Sequence, residues 1–362
     1  MNASSPEALL ALFSIPGIGP ALMRKLIGGL GSAEAVLDSS PRQLMQLEGI
    51  DKKRAQLIKG SVNEHFVKRQ LNYLRQTRAS LISYWDEAYP RSLKAIYDPP
   101  AFLFVEGDAA LMEAPSLAIV GTRVPSEYGK QVTHSLAGEL SRRGFVIASG
   151  FARGVDTVAH KAALSAGGKT LAVLGNGLDV IYPSENRALL PAFERQGVRI
   201  SEYPFGTKPD SGNFPKRNRI ISGLSRGVLV VEAGEKSGAL LTAMYALDQN
   251  REVFAVPGPI SSPKSAGTNN LIKQGAKLVE SVDDILVELE GLSFPGKKEE
   301  RPEPALEEPA LSIYRFLADE PRHIDQIALK CGLSPSEALS QLLILELNGH
   351  VRQLAGKMFV QM

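Results

Sequence analysis

A single cysteine, Cys331, occurs in 362 residues. One thiol rules out an internal disulfide and any cysteine-cluster metal site. In its apolar, helix-patterned surroundings Cys331 reads as a small core residue. No run reaches the roughly 18 apolar residues needed to cross a bilayer. The N-terminal stretch MNASSPEALLALF is too short and too weakly charged for a signal peptide. The chain is therefore expected in the cytoplasm, with no membrane contact. Charge of one sign is also scarce: 41 Lys and Arg stand against 39 Asp and Glu, a net charge of +2. A protein coated in nucleic acid is usually more basic, so any such site must be local. Hydrophobic and charged fractions of 44% and 22% are ordinary for a globular chain, and the length allows two or three domains.

Signatures of enzymes and cofactors are missing as well. His65, His134, His323 and His350 are scattered and share no metal-ligand spacing. His160 follows Asp156 by one helical turn, which suits a local hydrogen bond or packing better than catalysis. There is no Gly-x-Ser-x-Gly elbow. Glu232 ends a strand pattern and has the chemistry of a base, but no partner acid is placed beside it. Gly168-Lys169-Thr170 mimics the end of a P-loop, yet Ala163 stands where the first Gly belongs and a strand follows instead of preceding. Gly175-x-Gly177 lacks its third Gly, since Val180 occupies that place. No catalytic residue, cofactor or metal is expected.

What the chain does have is Asn213-Phe214-Pro215-Lys216-Arg217-Asn218-Arg219, three cations and an aromatic in a short run that then turns apolar. Lys and Arg take phosphates, and a ring offers a face on which any base stacks, so the run suits a nucleic-acid strand. The alternative is a loop with a solvated charge run and a core Phe. The surroundings favour the first reading. Between about 111 and 290, short apolar runs alternate with helical stretches, as in a parallel sheet covered on both faces. The strands are expected at 117–120, 145–148, 171–174, 197–201, 228–231 and 252–256. In such a doubly wound sheet ligands bind at the carboxyl edge of the strands. Here those ends read Gly121-Thr122-Arg123, Ser149-Gly150-Phe151-Ala152-Arg153, Gly175-Asn176-Gly177 and Glu232 through Gly238. Glycines, small hydroxyls and guanidinium groups along one edge fit phosphate.

Four segments follow from composition. Residues 1–75 are helical, with Ile15-Pro16-Gly17-Ile18-Gly19 forming a hairpin that resembles a helix-hairpin-helix; a second copy, Gly49-Ile50-Asp51, puts an anionic side chain at the second Gly. Residues 76–290 hold a turn-rich connector, with one strand at 101–105, and the Rossmann-like block. Residues 291–308 mix Gly, Pro and charge as a linker. Residues 309–362 resemble a winged helix-turn-helix. Its candidate recognition helix, 334–348, contains no Lys or Arg, which argues against duplex reading and for protein contacts or regulation.

In order, Ala118-Ile119-Val120-Gly121-Thr122-Arg123, Ser149-Gly150-Phe151-Ala152-Arg153-Gly154-Val155-Asp156, Asp179-Val180-Ile181-Tyr182-Pro183, Phe214-Pro215-Lys216-Arg217-Asn218-Arg219, Ser237-Gly238-Ala239-Leu240-Leu241 and Gly267-Thr268-Asn269-Asn270 resemble the bacterial DprA/Smf family, the DNA-processing proteins of natural transformation. The match spans the whole Rossmann-like block. It implies sequence-independent binding of single-stranded DNA, delivery of that DNA to the RecA recombinase, homodimerisation through the Rossmann-like domain, and no catalysis. By motif, Arg123, Ser149-Gly150 and Arg153 would hold phosphates, with Gly121 and Thr122 in the same turn. Phe214 would stack on a base beside Lys216, Arg217 and Arg219, and Ser237-Gly238 would close the pocket. Asn218 would bond either a base or the loop, and some of the arginines would instead tie loops together. Two other classes compete: a related Rossmann enzyme that cleaves nucleoside monophosphates from their bases, which the absent acid pair disfavours, and a transcription regulator, which the uncharged recognition helix disfavours.

Overall fold

The protein is described from a computed structural model, which defines residues 4–290, 306, 308–317, 322–354 and 357–361. The expected linker lies almost wholly outside the described residues. Contacts divide the chain into one unit of residues 1–296 and a second of residues 297–362.

The alternating β and α pattern of the first unit builds one nine-stranded sheet among the described residues. Its strands are β1 (Ala79–Ser83), β2 (Phe102–Glu106), β3 (Ser116–Val120), β4 (Val146–Ser149), β5 (Thr170–Leu174), β6 (Gly197–Ser201), β7 (Gly227–Val230), β8 (Glu252–Ala255) and β9 (Lys277–Leu278). Their spatial order is β1-β2-β6-β5-β4-β3-β7-β8-β9. Pairing is parallel from β6 through to β9 and antiparallel for β1–β2 and β2–β6. The continuous apolar runs of β3, β4 and β5 are buried at every position, as helices on both faces require. The expected doubly wound fold is present, and the connector adds more than one strand to it: β1 pairs with β2 along its whole length.

The strand order reverses at β3. Strands β4, β5 and β6 step away on one side, and β7, β8 and β9 on the other. Such a reversal sends the connecting helices to opposite faces and leaves a crevice beyond the strand ends.

The N-terminal helices Pro6–Phe13, Pro20–Leu30, Lys52–Gly60 and Glu64–Gln76 carry the two hairpins. Gly17 and Gly49 take φ of +83° and +86°, the left-handed turn each hairpin needs. Leu9, Leu12, Met23, Leu26 and Ile58 of these helices share one buried cluster with Phe102, Phe104, Leu174 and Phe205 of the sheet block. The helical block is thus cored into the sheet.

The second unit has its own core of Ile313, Leu317, Ile327, Leu342, Leu345 and Phe359. Helices Ala310–Phe316, Ile324–Cys331 and Pro335–Leu347 precede a hairpin of Val351–Leu354 and Met358–Gln361, whose second strand also pairs with Arg322–His323. This is the expected winged helix. Among the described residues no helix is long and apolar enough to cross a membrane.

Candidate nucleic-acid interface

Beyond the ends of β3 and β7 lies an open cleft of about 760 Å³. One wall is the Gly121-Thr122-Arg123 turn after β3. The opposite wall is Lys236-Ser237-Gly238, which opens the helix Gly238–Asp248. The floor and third side come from the helix Asn213–Leu224, through Phe214, Arg217 and Asn218. Exposed Arg123, Ser211, Lys236 and Leu241 form its solvent-facing rim.

The Asn213–Leu224 segment is helical because Ile220, Ile221 and Leu224 repeat at helical spacing and bury against the sheet. Arg217 falls on that same stripe, one turn before Ile220 and Ile221. It is consequently buried, only 4% exposed. Its guanidinium donates to the Gly150 carbonyl at 2.6 Å and to the Val173 carbonyl, and its Nε lies 3.2 Å from Asn218 Oδ1. Beside it is Asp156, also buried, whose Oδ2 accepts from the Gly150 and Ala152 amides at 3.0 and 3.2 Å. Burial pushes the Asp156 carboxyl up, against the pull of Arg217, and brings the Arg217 guanidinium down to about 10. A Cβ at Gly150 would sit 2.6 Å from Arg217 Nη2 and 2.7 Å from Asp156 Oδ2, so a side chain there would press on both groups.

Arg123 is different. It is exposed, and its guanidinium carbon lies 5.5 Å over the Phe214 ring. Arg217 approaches that ring at 5.9 Å and Tyr182 at 5.8 Å with a 33° tilt. Gly175 makes room for it: a Cβ there would meet Phe214 Cδ1 at 2.8 Å. Phe214 thus stands at the cleft with an exposed cation and a second ring against it.

The remaining expected residues divide. Gly121, Thr122, Asn218, Ser237 and Gly238 line the cleft with Arg123, Phe214 and Arg217. Ser237 caps its helix by accepting from the Ala239 amide at 3.3 Å, and Asn218 donates to the Gly238 carbonyl at 3.3 Å, so the loop is bonded to the helix bearing Phe214. Arg153 and Gly150 line a smaller adjoining recess with Arg123, Asn176 and Tyr182. Arg153 is exposed, and Glu185 holds it at 2.7 Å. That pairing and the hydrogen bonds around Glu185 keep its carboxyl below the usual range. Ser149 turns inward and donates to the Ile119 carbonyl at 2.6 Å. Lys216 is exposed and outside the cleft wall. Arg219, buried, points away: it pairs with Glu202 at 2.7 Å and with Asp98 at 3.6 Å. Arg217 and Arg219 therefore act as internal ties in this structure. Tyr182, Lys236 and Leu241 line the cleft although the sequence did not single them out. Lys236 falls within the strand end read after β7, whereas Tyr182 lies beyond the one read after β5.

The acid–base candidates are committed elsewhere. Glu232 accepts from the Ser126 amide at 2.8 Å and the Ser126 hydroxyl at 2.5 Å, pinning the start of the helix Glu127–Arg142. His160 is fully buried between Phe151 and Phe193. Its Nδ1 lies 2.7 Å from Thr170 Oγ1, which itself donates to the Ile147 carbonyl. Nδ1 therefore carries the proton, and burial together with Arg217 drives the imidazole down to about 3.

A doubly wound sheet with this cleft, a hairpin tandem before it and a winged helix after it define a Rossmann-like protein with two helical appendages. Comparison with known proteins gives the family. The profile described as DNA recombination-mediator protein A matches residues 80–290, the DprA winged helix domain profile residues 297–357, and the SAM-like helix-hairpin-helix tandem residues 9–61. Protein Smf of Escherichia coli is 42% identical over 86% of this chain and 85% of its own. Among solved structures, DNA processing protein A of Streptococcus pneumoniae superimposes with a TM-score of 0.71 at 34% identity, over 81% of this chain and all of that one. DNA processing protein A of Helicobacter pylori, described for its single-stranded DNA binding mode, gives 0.54 at 33% identity over 59% and 97%. The chain belongs to the DNA recombination-mediator protein A family, also called DprA or Smf.

Proposed function

We propose that the chain binds single-stranded DNA without sequence preference in the switch-point cleft, protects it, and passes it to the RecA recombinase during natural transformation, acting as a homodimer and without catalysis. One observation carries this reading: exposed Arg123 lies 5.5 Å over the Phe214 ring in a cleft that is also lined by the helix N-terminus at Ser237–Gly238. A phosphate would meet Arg123 and the Ser237–Gly238 helix end, while a base would meet Phe214 and Tyr182. Stacking on a ring serves every base, so no sequence preference arises. The H. pylori relative, a single-strand binder by its description, supports the ligand. The family's description as a recombination mediator supports the transfer to RecA.

The nucleotide-cleaving alternative needs a free acid–base pair at the cleft. Asp156 is engaged by backbone amides and Arg217, and Glu232 by Ser126. The exposed side of Pro335–Leu347 has no Lys or Arg, carries Glu337, and is otherwise largely apolar, which supports protein contacts for the winged helix over duplex reading.

Fluorescence anisotropy over a salt series with labelled single- and double-stranded oligonucleotides tests the reading. Single strands should bind more tightly, and binding should weaken with salt. Phe214→Ala should cost about 1–3 kcal/mol of affinity, the worth of one base–aromatic stack. Equal binding of the duplex, or none of the single strand, overturns it.

A further inference from the structure

Residues 202–212 run from the end of β6 to the helix that carries Phe214, and they bring Pro209 and Ser211 into the cleft wall. The segment has no regular structure; a turn at Pro204–Thr207 and Asp210 bond it to itself, and partners outside it complete its path. Two come from the neighbouring strand-end loop: Asp179 accepts from the Gly206 amide at 2.8 and 3.0 Å, and the Gly177 amide donates to the Thr207 carbonyl at 3.0 Å. The third comes from the helical block. Gln70, on the helix Glu64–Gln76 and fully buried, takes both backbone groups of Phe205: its Oε1 accepts from the amide at 2.9 Å and its Nε2 donates to the carbonyl at 3.0 Å. One primary amide thus stands in for a strand neighbour. One turn on from Gln70, Tyr73 stacks on the Phe205 ring at 5.0 Å and 13°.

The far end of the stretch is tied to the same block. Arg24, on the helix of the first hairpin, donates to the Pro99 carbonyl and pairs with Asp98 at 3.1 Å. The other oxygen of Asp98 faces Arg219, which pairs with Glu202. Phe214 and Arg217 lie between these two ties.

Several of the hairpins' polar groups are engaged locally, whereas Lys52 and Lys53 are exposed. Lys25 pairs with Glu48 at 2.9 Å, Asp51 caps its helix by accepting from the Arg54 amide at 2.7 Å, and Arg54 donates to the Gly49 carbonyl at 2.7 Å. At the second hairpin the place of a phosphate is therefore filled by a carboxylate.

We propose that the helical block serves strand binding as a brace, with Gln70 as its positioning residue: it fixes the 202–212 segment, and through it Phe214, without touching the strand. This rests on the reading of the cleft as a single-stranded DNA site. Gln70→Leu leaves the Phe205 amide and carbonyl unpaired. Gln70→Glu restores a donor and an acceptor only when protonated, since a carboxylic acid offers both and a carboxylate only accepts.

The test uses the full-length chain, a labelled oligothymidylate and anisotropy, with thermal midpoints recorded to confirm that each variant is folded. Gln70→Leu should weaken binding about tenfold, with the salt slope of wild type, because no phosphate contact is lost. Gln70→Glu should bind like wild type in mildly acidic buffer and lose affinity as pH rises, a dependence the wild type does not share. Folded variants that bind as wild type at every pH overturn the brace while leaving the cleft reading intact. A reduced salt slope in Gln70→Leu also overturns it, because the helical block would then touch phosphate. A wild type indifferent to oligothymidylate sinks the cleft reading itself, and the brace with it.

Discussion

Residues 6–76 and residues 310–361 both fold as small helical modules, but the first shares its core with the sheet while the second closes a core of its own. The helical block contributes Leu9, Leu12 and Met23 to the same buried cluster as Phe102, Phe104 and Phe205. The winged helix buries Leu342 and Leu345 against its own helices and leaves Leu339, Leu343 and Leu347 of the same helix 51%, 56% and 79% exposed. The helix-hairpin-helix tandem and the winged helix are both familiar as DNA-binding shapes. Here the second hairpin carries Asp51 and Lys25 of the first is paired with Glu48, while the recognition-type helix has no Lys or Arg and an exposed apolar side. Shape alone therefore does not say which part of this chain meets a polyanion; the placement of charge does, and it favours the switch-point cleft.

The sharpest way to break this comparison is deletion. Removing residues 1–75 should prevent stable folding, since baring Phe102, Phe104 and Phe205 costs on the order of 5 kcal/mol, the scale of a whole domain's stability. Removing residues 297–362 should shift the thermal midpoint of the remainder by no more than about 3 °C. Equal losses from the two deletions would end the distinction between a cored and a self-contained module.

Next in size is a contrast inside the first unit. Arg217→Ala strips the Gly150 and Val173 carbonyls of their charged donor and removes the cation near buried Asp156, and should cost about 1.5–3 kcal/mol in denaturant unfolding. Arg123→Ala should leave stability within about 0.5 kcal/mol and weaken single-strand binding instead. A stable Arg217→Ala protein would undo its assignment as an internal tie.

Acid separates the two units more gently. Below the ordinary imidazole range near 6.5 the unfolded chain protonates His160, whereas the folded chain keeps it neutral until pH approaches about 3. Protons therefore favour unfolding through that window, and stability present above it falls with pH by up to ~1.4 kcal/mol per unit. His323 and His350 of the winged helix are only half-buried. Thermal melts from neutral to acid pH should show the first unit losing stability with a slope that His160→Gln lessens, buried Asp156 with its raised carboxyl working the other way.

The smallest effect belongs to Leu343→Glu on the exposed side of the winged helix. It should change stability by no more than about 0.5 kcal/mol and leave single-strand affinity unchanged. A clear loss of affinity would bring the winged helix into the binding site.

Much of this was legible in the chain. The six core strands lie within a residue or so of their apolar runs, because a strand buried on both faces has no polar alternation to blur it. The cleft edge was legible through the strand ends, which placed Arg123, Gly121 and Ser237 together. The fate of the arginines was harder to see. Arg217 sits at helical spacing from Ile220, Ile221 and Leu224, a stripe that reads as core once the segment is taken as a helix; read as a charge run, the same residues look solvated. Arg219 is decided by Glu202 and Asp98, distant in sequence and without a local signature. Likewise β1 was hidden in a turn-rich connector, since its five residues earn strand geometry only by pairing with β2. The shared core of helical block and sheet leaves no mark on either segment's periodicity, because a helix buries its stripe alike against another helix or a sheet.

Among the described residues of the first unit the cleft has walls and a floor but an exposed rim rather than a roof. Under the proposed reading, that shape decides how a polymer gets in. A tunnel must be threaded from a terminus, whereas a trough accepts a chain sideways at any point along its contour. A closed circle of single-stranded DNA should then be seized as readily as a linear fragment of the same length, and a long strand should offer as many landing places as it has free nucleotides.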